Sequence, residues 1–356
     1  MPARYTSERF VGRERELSNL AVALEAAAEG RSPRIVLSGR GGIGTSRLVT
    51  EAIRRVGTLP TPFQIVRCTA VRARNRAAYG PIIEGFTPWL ASLADADLHR
   101  AAGTGAEPIA RLLPDIAPRL ASDIRHARRE AIAPERRGAW IAEAVQGLLE
   151  RVGERRPVLL VLEDLHHADA GTRALATFLA RVARPARVCL VLTYGRDHVT
   201  RGHPLQPQLA SIASAADPPI QLELGPLDRF DLAQLVTEIE GERPTAAALL
   251  LVAERSGGDP LIAEEVLAAR RELPGLSLGT TLDELVLARL GRRAPEARRV
   301  LRLLAPAGMP LDRAQLAAVA TTFEGLVDGL PPRSTTRPRR GDGVLDADLR
   351  AGVMEA

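Results

Sequence analysis

Two rhythms of apolar residues alternate along the first two-thirds of the chain. Leu17, Leu20, Ala21, Leu24 and Ala28 recur at steps of three and four. That spacing predicts a helix over residues 14–28, and Gly30 stops it. Arg34 to Ser38 holds the unbroken apolar run Ile35-Val36-Leu37, which reads as a short buried strand. Glycines follow at once, and a helix is predicted from about Thr45. Phe63 to Thr69 reads as a second strand. Tyr79 to Ala94 and Glu107 to Leu120 read as helices broken by proline and glycine, and Arg137 to Val152 as a long amphipathic helix. Val158 to Leu162 is apolar throughout and ends in Glu163-Asp164, the pattern of a strand buried on both faces of a parallel sheet. A helix over 172–182, a buried strand over 188–194 and a last short strand over 220–224 complete the alternation. Strands alternating with helices predict an α/β fold built on a doubly wound parallel sheet.

After Pro226 the strand rhythm stops. Residues 231–241, 245–256, 261–271, 281–290 and 295–304 all carry helical spacing. The expected division is therefore a core over 1–225 and an all-helical module over 226–292, then a segment over 293–320 and a tail over 321–356. The run Pro331 to Arg340 has no apolar periodicity, so the tail is expected to be disordered.

Composition narrows the function classes. The 356 residues are 46% hydrophobic, enough for a sizeable core, with 48 basic and 43 acidic side chains. All the basic residues are arginine, because the sequence contains no lysine. Aromatics are only 3%, which argues against a stacking platform for single-stranded nucleic acid. The two cysteines, Cys68 and Cys189, lie in strand-like runs, which excludes a disulfide scaffold and a cysteine-ligated zinc site. No apolar run reaches the ~18 residues of a membrane span. Met1 to Phe10 lacks an apolar signal core, so a cytoplasmic location without membrane partners is expected.

The chemistry concentrates between the first strand and the next helix. Gly39-Arg40-Gly41-Gly42-Ile43-Gly44-Thr45-Ser46 fits G-x-x-x-x-G-K-[ST] at every defined position except the lysine, where Thr45 stands. Glycines there let backbone N–H groups turn inward as a nest for phosphate oxygens, and the helix N-terminus adds partial positive charge. Ser46 would place its hydroxyl on Mg²⁺. Glu163 and Asp164 supply the acids such a site needs. On that reading their strand lies beside the loop-bearing strand, Glu163 holds the metal, and one of the pair orients or deprotonates an attacking water. A glycine turn without a ligand is the plainer alternative for the loop. A solvated position is the plainer reading of the Arg40 side chain, and a packing or phosphate-sensing loop, not a metal site, that of His166-His167.

These motifs, taken in order, resemble the signal-transduction ATPases with numerous domains, the STAND branch close to AAA+. They are similar in particular to the ATPase modules of large LuxR-type transcriptional regulators and adenylate-cyclase-associated proteins. Phe10-Val11-Gly12-Arg13-Glu14 matches the family's opening F-V-G-R-E, and Gly39 to Ser46 with Arg47-Leu48 its phosphate loop. Tyr79-Gly80-Pro81 matches a Y-x-P segment, and Leu162 to Asp169 matches L-[DE]-D-L-H-W-A-D. Thr193, Tyr194 and Arg196 match the sensor T-Y-R with Gly195 intervening. Leu224-Gly225-Pro226-Leu227 matches the lid turn, and Ser256 to Pro260 matches S-G-G-N-P. The resemblance spans about residues 8–318. It implies a P-loop NTPase core followed by a helical lid and a partial winged-helix-like segment. It implies ATP or ADP with Mg²⁺ as cofactors, bound by Val11, Gly12, Arg13, the loop from Gly39 through Arg40, Gly41, Gly42, Ile43, Gly44, Thr45 and Ser46 to Arg47, and by Arg196 and Pro226. Self-association or a protein partner is implied too; nucleic acid is not expected for this chain alone.

The departures shape the functional expectation. Thr45 replaces the phosphate lysine, His167 a tryptophan and Asp259 an asparagine, while Gly195 shifts the sensor arginine. The family's tetratricopeptide-like region and terminal helix-turn-helix have no counterpart in these residues, so a truncation is expected. Losing a charge-assisted hydrogen bond costs ~1.5–3 kcal/mol, so binding would fall by roughly 10- to 150-fold. Hydrolysis would suffer more, because phosphoryl transfer rests on electrostatic stabilisation. The expectation is a nucleotide-binding regulatory switch with weak or absent hydrolysis. The alternatives are an interaction scaffold that keeps the fold without nucleotide, and a truncated DNA-binding regulator.

Overall fold

The computed structural model describes residues 7, 9–71, 78–126, 133, 136–182, 184, 186–272, 281–304, 314–315 and 318. They fall into two compact units. One spans Glu8–Leu235, and the other contains Ser7 and the described residues from Val236 on.

The larger unit opens with α1 (Glu14–Ala28), β1 (Arg34–Gly39), α2 (Thr45–Val56) and β2 (Gln64–Thr69). A helical stretch follows: α3 (Gly80–Ala91), α4 (Asp95–Ala102), α5 (Ala106–Leu112), α6 (Ala121–His126) and α7 (Arg137–Gly153). Then come β3 (Val158–Glu163), α8 (Ala170–Arg181), β4 (Val188–Gly195), α9 (Leu205–Ala213) and β5 (Ile220–Glu223). α10 (Arg229–Glu240) carries the chain into the second unit.

The five strands form one parallel sheet in the order β2-β3-β4-β1-β5. Side chains alternate between its faces. Ile35, Leu37, Val161 and Val191 pack with Leu20 and Leu24 of α1 and Leu48 of α2. Val36, Leu160, Leu162 and Leu190 face the other way, onto Phe86 of α3, Leu148 of α7 and Leu175 of α8. Both faces are covered, as the doubly wound expectation requires.

The strand order corrects one expectation. β3 is not beside β1, because β4 lies between them. β3 and β4 are both uninterrupted apolar runs, and nothing in their periodicity orders them; the sheet order is settled by how the connecting helices pack.

The helical stretch expected over 107–120, with its proline interruption, divides at Pro114. α5 ends at Leu112, and Ala117–Leu120 forms a separate 3₁₀ turn. Leu113 precedes Pro114 and adopts φ −121°, ψ 82°, outside the helical region that a residue before proline disfavours. Helices α4, α6 and α9 were not predicted; each is short, with few apolar anchors, such as Leu98 in α4 and Leu205 with Ile212 in α9.

The described part of the second unit holds the end of α10, α11 (Ala246–Ser256), α12 (Pro260–Glu272), α13 (Leu282–Gly291) and α14 (Pro295–Leu304), with no strand among its described residues. Thr245 and Thr281 cap α11 and α13 through their hydroxyls, Thr281 in a reciprocal capping box with Glu284. Arg289 ties α13 to Glu265 and Glu272 of α12. The expected tail over 321–356 lies outside the described residues, as do residues 305–313, 316–317 and 319–320 of the expected segment over 293–320.

Candidate functional site: a phosphate-binding loop at the carboxyl end of the sheet

β1 delivers the loop at the carboxyl ends of the strands, where open α/β sheets bind ligands. Gly42 and Gly44 take φ values of +86° and +100°, a left-handed conformation that glycine adopts without penalty. The alternation turns backbone N–H groups to one side, and the Ile43 N–H donates to the Arg40 carbonyl at 3.2 Å. α2 begins directly after, with no side-chain cap and no acidic residue in its first turn. Its N-terminal amides and partial positive charge therefore remain for an outside anion. Thr45 is half-buried, the Ser46 hydroxyl is exposed, and Arg40 is exposed on the rim.

The Phe10 to Glu14 segment meets this loop through one buried side chain. Arg13 is left-handed at φ +63° and only 9% exposed. Its guanidinium donates to the Gly225 carbonyl at 2.5 Å and to the Ile43 carbonyl at 3.4 Å. One residue so joins the phosphate loop to the Gly225-Pro226 turn after β5. Asp228 closes that turn by accepting from the Phe230 and Asp231 N–H groups, each at 2.8 Å, at the start of α10.

The acids at the end of β3 diverge. Glu163 is 1% exposed and is ion-paired with Arg67 on β2, the strand farther from the loop. Asp164 is left-handed at φ +57°, and its N–H donates to the buried Thr193 hydroxyl of β4 at 3.0 Å. Burial, reinforced by the neighbouring Glu163 charge, pushes the Asp164 carboxyl up to about 6, while His198 and Arg67 pull the other way. Asp169 holds the next turn together. It accepts from the Thr172 N–H and the Tyr79 N–H, both at 2.9 Å, and so binds the A-D step of the acidic motif to the Y-G-P segment.

β4 runs through Gly195 in unbroken register with β1, so Gly195 extends the strand and sets Arg196 just past its end. The Arg196 N–H donates to the Gly39 carbonyl at 2.8 Å, and its side chain is ion-paired with Glu223 on β5. Arg47 donates to the Arg9 carbonyl at 3.3 Å.

Three histidines gather where β3 and β4 end. His166 and His198 stack with centroids 4.7 Å apart, and His167 lies 4.0 Å from His166. His166 Nδ1 accepts from the Gly195 N–H at 3.0 Å, and burial, then the two neighbouring histidines, drive its pKa down to about 3. It is therefore neutral, with its proton on Nε2. Among the described residues, no cluster of three or more histidine, cysteine, aspartate or glutamate side chains is arranged to hold a metal ion. His198 and Asp197 carry no motif signal in the sequence, because their importance comes only from what β4 places next to the loop.

A family model described as an AAA ATPase domain matches residues 9–191. The chain belongs to the AAA ATPase domain family. The match takes in the loop, Arg13, Glu163 and Asp164, and ends inside β4, before Arg196 and Pro226. No curated protein matches this AAA ATPase chain. Among solved structures, it is similar to a Walker-type ATPase of Pyrococcus abyssi, at 11% identity and TM-score 0.43, over 91% of this chain and 92% of that one. It is also similar to the T158V RuvB of Thermotoga maritima, at 15% identity and TM-score 0.38, over 88% and 83%. A third likeness is to Drosophila ORC bound to DNA, at 15% identity and TM-score 0.41, over 92% and 77%. No helix among the described residues is long and apolar enough to cross a membrane.

Proposed function

We propose that this AAA ATPase domain binds ADP or ATP and works as a regulatory switch with little or no hydrolysis. The observation that carries the reading is the loop itself: left-handed Gly42 and Gly44 in front of an uncapped helix with no acid in its first turn, at the end of a central strand. Such a nest fits phosphate oxygens, and the Arg13 bridge to Gly225 fits a backbone-lined slot for the base. Nucleotide brings terminal phosphates with a divalent metal to balance their charge. The Ser46 hydroxyl and the acids of β3 are the candidates to meet that metal. Asp164 is favoured over Glu163, whose charge is already answered by Arg67. Arg196 and Arg47 are engaged away from the loop, by Glu223 and by the Arg9 carbonyl, so neither replaces the charge that Thr45 lacks.

The finer placement is a STAND-type module of the kind found in LuxR-type regulators, in which residues 226–292 act as the lid that answers to nucleotide. Its support is the ordered set of motifs from Phe10 to Pro260. A scaffold without nucleotide is the second reading, favoured by one observation: the Gly41 N–H already has a partner, the Asp197 carboxylate. Titration calorimetry of the whole chain with ADP and ATP, with and without Mg²⁺, separates the two. Binding in the micromolar to sub-millimolar range, with ATP turnover at background, is expected. No binding establishes the scaffold, and turnover at ~1 s⁻¹ or faster overturns the inactive switch.

A further inference from the structure

The Asp197 carboxylate lies against the loop where an anion is expected. Both of its oxygens are within reach of the Gly41 N–H, at 3.2 and 3.1 Å. An internal anion on a nest amide marks the position that a phosphate oxygen would take, since carboxylate and phosphate oxygens are interchangeable acceptors for a backbone donor. The next residue stands at the same place. A methyl group built on Gly41 would lie 3.3 Å from Asp197 Oδ2 and 4.0 Å from His198 Nε2.

Three features hold the His198 ring there. It stacks on His166 with the ring planes 9° apart. His166 is itself fixed by the Gly195 N–H. Gly195 has no side chain to obstruct the pair; a Cβ at that position would fall 2.8 Å from His198 Cδ2 and 3.3 Å from His166 Cε1. A side chain at 195 would therefore require the His198 ring to shift. The charged and titratable groups around His198 are Asp164 at the end of β3, His166 and His167 in the turn after it, and Asp197 beside it.

We propose that His198 is a phosphate-binding residue of this site, reaching the phosphate bound at the Gly41 amide from the end of β4 in place of the absent lysine. The Asp197 carboxylate is the resident anion that the phosphate displaces. This rests on the nucleotide-binding reading above and adds to it the group that compensates for Thr45. An imidazole N–H aimed at a phosphate supplies a hydrogen bond whether neutral or protonated, with added charge when protonated.

The test is calorimetric titration of the full chain with ADP, ATP and adenosine, for the unaltered protein and for His198→Ala, His198→Gln and Asp197→Asn. The expected result is that His198→Ala weakens ADP and ATP by about tenfold or more while adenosine is unchanged. His198→Gln, which keeps a neutral donor, should lose less. Asp197→Asn should tighten ADP and ATP, because it removes a negative competitor. ADP binding that His198→Ala and His198→Gln both leave unchanged overturns the inference and leaves the nucleotide reading standing. An equal loss for adenosine and ADP also overturns it, since it would show His198 to act through packing on His166. Failure of the unaltered chain to bind ADP overturns the nucleotide reading and this inference with it.

Discussion

At the scale of single residues, Thr45 and Asp164 carry the sharpest consequences. Thr45→Lys restores the cation that the loop is shaped for. ADP affinity should rise at least about tenfold, ~1.4 kcal/mol, in a calorimetric titration. No gain would place the deficit elsewhere in the site. Asp164 is a half-buried acid whose folded pKa, about 6, stands above its ordinary value of 3.8. A raised carboxyl favours the folded state while protonated and works against it once ionised, so its cost builds as pH rises from about 3.8 and is complete above about 6. Asp164→Asn removes that cost, and asparagine tolerates the left-handed backbone at this position. In metal-free buffer the variant should be more stable than the parent at pH 8, by on the order of 1–3 kcal/mol and with a correspondingly higher melting temperature, and about equally stable at pH 4. Equal melting at both pH values would show that the carboxyl is better solvated than its burial implies. Thr45 was legible in the sequence, because a motif fixes the residue expected there. The elevated Asp164 was not, since desolvation comes from neighbours remote in the chain.

At the scale of elements, the turn between β5 and α10 is held from outside by Arg13 and from inside by Asp228. Pro226 follows the Gly225 carbonyl that Arg13 grips, and its fixed φ keeps that carbonyl oriented. On the proposed placement of the base beside Gly225 and Pro226, Pro226→Ala should weaken ATP and ADP by similar factors. A Ser46 substitution should instead change the ratio of the two affinities; a Pro226→Ala effect confined to ATP would refute this assignment. In the helical unit, Thr281 closes a capping box on α13. Thr281→Ala should cost about 1 kcal/mol. The loss should register as faster amide exchange in α13, with α2 unaffected. Thr281 with Glu284 three residues later carries the capping-box pattern in the sequence, whereas Thr245, three residues before Ala248, carries no such pattern. The break after Leu112 is legible as well, because Pro114 interrupts the helical spacing over 107–120.

At the scale of the whole molecule, a switch requires that nucleotide change the residues after Pro226. Hydrogen exchange across 226–290 with and without ADP should differ, with protection rising when nucleotide is bound. Identical exchange in both conditions would rule out the switch for this chain. The sequence by itself determined the alternation of strands and helices, the glycine loop in front of α2, the missing lysine and the helical character after Pro226. Each of these is written in local periodicity or in residues a few positions apart, where backbone geometry and side-chain spacing leave few choices. Only the tertiary structure decided that β4 separates β3 from β1, that Glu163 turns to Arg67, and that Arg13 reaches Gly225. It alone set Asp197 and His198 against Gly41. Those pairings join residues many positions apart through the order of strands in a sheet. That order comes from packing both apolar faces at once, a condition on the whole chain that no local window contains.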